Sequence, residues 1–65
     1  MNKFYRILMQ FSGGTTPTRK SLLHSFDESL VDEAITLRYI IEIGTTDIGE
    51  PKYAITELGK QIRDN

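Results

Sequence analysis

Residues 53–62 read Tyr53-Ala54-Ile55-Thr56-Glu57-Leu58-Gly59-Lys60-Gln61-Ile62. Two periodicities meet in this stretch. Tyr53 and Ile55 alternate around Ala54, the spacing of a strand with one face on a core. Leu58 and Ile62 lie four apart, the spacing of one helix face. The change falls at Thr56, whose hydroxyl suits the cap of a helix N-terminus. Gly59 sits inside the first turn, where the lack of a side chain lets a helix approach its neighbour closely. The stretch therefore predicts a strand that passes straight into a helix. Tyr53, Ile55, Leu58 and Ile62 are expected to point inward, with Glu57, Lys60, Gln61 and Arg63 toward water.

Working back along the chain, residues 52–56 form the returning half of a hairpin. Its other half is Tyr39-Ile40-Ile41-Glu42-Ile43, a β-branched and aromatic run. Between them, residues 44–51 are rich in turn formers. Before the hairpin, Leu30, Val31, Ala34 and Leu37 share one side of a helical wheel, with Ile35 at its margin and Ser29, Asp32, Glu33 and Thr36 opposite. This helix is expected to run to residue 38 or 39, with Asp27 as its cap or with Ser25 and Glu28 as a capping box. A shorter helix precedes it to about residue 24, with Leu22 and Leu23 inward. Thr16 suits its cap and Pro17 its first position. Phe4, Ile7, Leu8 and Phe11 mark a first helix over residues 2–11, which Ser12-Gly13-Gly14 ends.

The 65 residues permit one domain, 1–65, in an α+β class. A chain of this length buries only about 60% of its unfolded surface, so Phe4, Phe11, Phe26, Tyr39 and Tyr53 are needed inside. There is no cysteine, which excludes disulfides and thiolate zinc. No apolar run approaches the ~18 residues of a membrane span and no secretion signal is visible, so a cytoplasmic location is expected. The net charge of −1 is unevenly spread. Residues 1–24 carry Lys3, Arg6, Arg19 and Lys20 and no acid. Residues 25–50 carry seven acids against Arg38 alone.

The element order, together with residues 53–62, resembles the winged helix–turn–helix family. The segment from Tyr53 to Gly59 is similar to the Y-x-L-T-x-x-G pattern that follows the wing in MarR-like and PadR-like regulators. The resemblance implies an α-α-α-β-β-α winged fold with a two-stranded wing, to which a bridge near Thr15 can add a third strand. It implies a DNA-binding transcriptional regulator, dimeric, without a cofactor. The third helix would enter the major groove with Ser29, Asp32, Glu33 and Thr36. Thr45, Thr46 and Lys52 would contact DNA from the wing, and Arg19 and Lys20 would supply a basic face from the second helix.

The third helix itself argues for something different. It offers carboxylates and no cation on its polar face, and carboxylates repel phosphates. Glu28, Asp32 and Glu33 would instead suit a basic protein partner. Two function classes therefore stand side by side: a DNA-binding regulator, and a protein-interaction module on the same fold.

Other motifs have plainer readings. Residues 14–21 approach a phosphate-binding loop, but Arg19 stands where its second Gly belongs and Pro17 removes a backbone N–H. His24, the only histidine, lies near Ser21, Ser25 and Asp27 without the oxyanion-hole motif of a hydrolase. A metal site at His24, Asp27 and Glu28 would need further ligands. No nucleophile, activated base or cofactor cradle is evident, so no enzymatic activity is expected. Asp27 and Glu28 suit the positive end of a helix. Tyr5 lies off the apolar stripe and can serve a homodimer contact. Ile48 stands in the polar hairpin tip, either tucked under it or exposed for contact.

Overall fold

The computed structural model describes residues 2–65. It is an α+β domain of helices α1 (Tyr5–Met9), α2 (Arg19–Ser25) and α3 (Glu28–Thr36), strands β1 (Ile40–Thr45) and β2 (Pro51–Ile55), and helix α4 (Glu57–Asp64), with a 3-10 turn over Ser12–Gly14 after α1. The core draws on α1, α2, α3 and both strands, with α4 packed against it through Ile62. Phe4, Ile7, Leu8, Phe11, Leu22, Val31, Ala34, Ile40 and Tyr53 are buried, and Phe26, Leu30, Ile35, Tyr39, Ile55 and Ile62 pack around them. The ring of Phe4 meets that of Tyr39 edge-on, with centroids 5.0 Å apart.

The expected stripe of the first helix is fully buried, yet α1 is half as long as expected. The backbone tightens after Met9, where the N–H groups of Gln10 and Phe11 bond the carbonyls of Ile7 and Leu8 three residues back. Gly13 and Gly14 then take φ of 73° and 78°. The Thr15 hydroxyl closes the end by donating to the Gln10 carbonyl at 2.6 Å. At the chain start, the Asn2 side chain accepts from Phe4 N–H and donates to the Ile62 carbonyl, tying α1 to α4.

The cap of α2 is Thr18, not Thr16, and Pro17 lies outside the helix. Thr18 accepts from Ser21 N–H at 3.1 Å. The reason is tertiary: the Pro17 carbonyl accepts from Tyr53 N–H, and Thr18 bridges antiparallel to Lys52. The segment before α2 is thus held extended against β2. The bridge expected near Thr15 occurs three residues later.

Asp27 occupies the cap position of α3 without a side-chain cap bond. The Ser25/Glu28 capping box does not form, because Ser25 closes α2 and Glu28 turns toward Arg19. The helix ends at Thr36, earlier than expected. Tyr39 N–H returns to the Ala34 carbonyl and Arg38 N–H to that of Ile35. Arg38 has φ of 63°. This is a Schellman ending with arginine where glycine is usual.

β1 and β2 pair antiparallel from Ile40 opposite Ile55 to Thr45 opposite Pro51, with a bulge between Glu42 and Gly44. Thr56 N–H bonds the Tyr39 carbonyl outside the Ile40/Ile55 pair, while Tyr53 N–H points the other way, to Pro17. β2 is therefore flanked by β1 on one edge and by the Pro17–Thr18 segment on the other. At the tip, Thr46 N–H bonds the Glu50 carbonyl and Thr46 Oγ1 accepts from Glu50 N–H. Ile48 stands out into solvent at 84% exposure, so it is not tucked under the hairpin.

Thr56 caps α4 as expected, accepting from Gly59 N–H at 2.9 Å and donating toward the carbonyls of Arg38 and Tyr39. Gly59 lies so close to the Tyr39 carbonyl and the Ile55 side chain that a Cβ would collide with both. Three expected core residues are instead exposed: Leu23, Leu37 and Leu58. Leu22 alone fills the inward position of α2, Leu37 lies past the end of α3, and Ile62 provides the buried side of α4.

Candidate interaction surface

Arg19 opens α2 and organises the surface between α2, α3 and β2. Its guanidinium donates to Asp32 at 2.9 Å and to Glu28 at 3.2 Å. It also donates to the Tyr53 hydroxyl at 3.4 Å. Glu28 and Asp32 lie one turn apart on α3, so one cation reaches both. The Tyr53 hydroxyl and Asp32 hold the guanidinium protonated, raising its pKa above the ordinary arginine value. The Arg19 side chain is only 24% exposed, while those of Glu28 and Asp32 remain 70% and 54% exposed. A half-exposed pair of this kind contributes about 0.2–1 kcal/mol.

The third acid of α3 is matched separately. Glu33 lies 2.8 Å from Lys3 Nζ, which also sits over the Phe4 ring. The fold therefore joins residues that pointed to opposite functions in the sequence. Arg19, expected to face phosphate, is held by Glu28 and Asp32, expected to face a basic partner. Asp27 is exposed and, among the described residues, in no ion pair.

The remaining candidates are more dispersed. Lys20 is exposed on α2 and Lys52 is half-buried on β2, and neither joins an ion pair among the described residues. Lys52 is brought toward the start of α2 by its bridge to Thr18. Ser29 and Thr36 are exposed on α3, and Thr45 is exposed at the end of β1. Thr46 is half-buried and its hydroxyl oxygen is engaged in the hairpin tip. His24, Ser21, Ser25 and Asp27 are all exposed, and no hydrogen bond links His24 to the other three. Tyr5 is half-buried in α1, less open than a residue off the stripe was expected to be.

Three residues behave in ways the sequence reading did not state. Tyr53 was expected as core and is buried, but its hydroxyl also supports Arg19. Ile41 and Ile43 are 42% and 46% exposed on β1. Their alternation with buried Ile40 was the available signal, since period two places them on the face away from the core.

Among the described residues, no helix is long and apolar enough to cross a membrane, and no group of three or more His, Asp or Glu is placed to hold a metal ion. Compared with known proteins, the chain matches no family model, no curated protein and no solved structure.

Proposed function

We propose that the chain is a winged-helix domain that works as a protein-interaction module rather than as an enzyme, presenting α3 to a basic partner. The winged reading is supported by the order of elements and by β2 lying between β1 and the Pro17–Thr18 segment, with the β1–β2 hairpin as the wing. The functional reading rests on one observation: Arg19 is engaged by Glu28 and Asp32. That engagement takes the best-placed cation away from phosphate. Of the four carboxylates between Asp27 and Glu33, three are shared between two cations, Arg19 and Lys3, and Asp27 is in no ion pair among the described residues. A partner bearing Lys or Arg would complete the neutralisation, and the field would steer its approach.

A second reading, a dimeric DNA-binding regulator, is favoured by Lys20 and Lys52, which join no ion pair among the described residues and lie on the α2 and wing side. Two such cations give a weak and strongly salt-sensitive contact per protomer.

One experiment separates them. The protein is titrated with a lysine-rich decapeptide and with random duplex DNA at ~50 and ~200 mM salt, followed by amide NMR. Peptide-induced shifts over residues 27–36 that vanish in a Glu28→Gln, Asp32→Asn, Glu33→Gln variant are expected. Micromolar DNA binding at low salt, lost in Lys20→Gln with Lys52→Gln, would overturn the interaction reading in favour of DNA.

A further inference from the structure

A cleft of about 310 Å³ opens between the turn after α1, β2 and α4, away from the charged surface of α3. Its apolar side is formed by Phe11, Ala54 and Ile55, and its other side by Lys60 and Arg63 of α4. Lys60 and Arg63 are three apart and therefore neighbours on one helix face. Gly13 and Gly14 form the rim. Both have positive φ, and a Cβ at either would meet nothing within 4 Å. The turn thus sends no side chain into the cleft from Gly13 or Gly14.

Lys60 is only loosely compensated, whereas Arg63 is paired with Asp64 through two hydrogen bonds and keeps one terminal nitrogen for a ligand. Lys60 Nζ lies 4.0 Å from Glu57, the outer limit of an ion pair, and its side chain is half exposed. Arg63 donates from Nε and one terminal nitrogen to Asp64, and its other terminal nitrogen makes no hydrogen bond among the described residues. An apolar wall facing two cations is a pairing of surfaces suited to one molecule carrying both characters. The volume lies at the small end of the ~300–1,000 Å³ range of ligand pockets.

We propose that this cleft is a binding site for a small amphipathic monoanion, a carboxylate on a short aliphatic chain. Its carboxylate lies against Lys60 and Arg63, and its chain lies on Ala54, Ile55 and the edge of Phe11. The site is independent of what α3 engages, because it shares no residue with the Arg19 cluster.

The test uses hexanoate, with hexanol and hexylammonium as neutral and cationic counterparts, titrated into the whole chain and followed by amide NMR. Hexanoate is expected to shift Gly13, Gly14, Ala54 and Ile55 saturably, with a midpoint of roughly 1 mM for a ligand of about eight heavy atoms. Hexanol and hexylammonium should bind at least about three-fold more weakly. Lys60→Gln, at an exposed position that leaves folding intact, should weaken hexanoate about 1.5- to five-fold, the range of one exposed charge contact. Ala54→Val keeps strand preference while narrowing the apolar wall, and should weaken hexanoate and hexanol together. No saturable shift at these four amides up to ~20 mM, well past that midpoint, would overturn the site. Equal binding of hexanol, or an unchanged midpoint in Lys60→Gln, would overturn its anion character.

Discussion

Gly59→Ala pits helix preference against close packing. In an exposed helix the change to alanine stabilises by about 0.8–1 kcal/mol. At Gly59 the new methyl meets the Tyr39 carbonyl and the Ile55 side chain. That carbonyl accepts Thr56 N–H at 3.0 Å and faces the Thr56 hydroxyl at 3.1 Å, so displacing it loosens the junction between β2 and α4. Overpacking costs about 1–3 kcal/mol and a weakened hydrogen bond about 1 kcal/mol more. The balance is a loss of roughly 1–3 kcal/mol after the helix gain is subtracted. For a domain this small, that lowers Tm by about 5–25 °C. Circular dichroism thermal melts and urea titrations measure it, with Leu58→Ala as the exposed neighbour expected within about 0.5 kcal/mol of the parent. A Gly59→Ala protein as stable as the parent, or more so, would refute the close-approach argument.

Four further outcomes are expected. Arg38→Gly should stabilise by roughly 0.5–1 kcal/mol in urea, because glycine accepts the left-handed conformation that arginine now strains to adopt. Thr56→Ala should cost about 1–2 kcal/mol, losing the α4 cap and the hydroxyl's donation toward the carbonyls preceding β1. A double-mutant cycle on Arg19→Gln and Asp32→Asn should give a coupling of about 0.5–1 kcal/mol that shrinks at high salt. The Asp64 carboxyl lies below its ordinary pKa because Arg63 donates to it. The pair's contribution to stability is therefore fully present above the usual Asp value of about 3.9 and is lost as pH falls through the depressed value. Side-chain carbon NMR should find that low midpoint and see it rise in Arg63→Gln.

Local signals carried most of the architecture. The period change at Thr56, the stripe from Phe4 to Phe11 and the β-branched run after Tyr39 each described a structure their own neighbours could enforce. The errors fall where distant residues intervene. Pro17 resembled a helix start, but its carbonyl belongs to Tyr53, thirty-six positions away. Leu37 fits the α3 wheel, but the helix stops before it because Arg38 takes a conformation that sequence assigns to glycine. Leu23 and Leu58 matched helical spacing, but helices of seven and eight residues on so small a core bury only a narrow stripe. For the candidate surface, residue types were legible and partnerships were not. Arg19 and Asp32 lie thirteen positions apart across the turn between two helices, a separation that no spacing rule covers.

The arginine shared by two carboxylates also constrains how this surface can change. Replacing Asp32 with lysine first sets an ammonium against the Arg19 guanidinium. Replacing Arg19 with glutamate first gathers three carboxylates at the α2–α3 junction. Each single step is worse than its starting point, whereas the exchanged pair restores opposite charges across the α2–α3 junction. The effect of either substitution thus changes sign with the state of the other. Sequence drift at this junction should proceed by paired replacements or through neutral intermediates such as glutamine and asparagine.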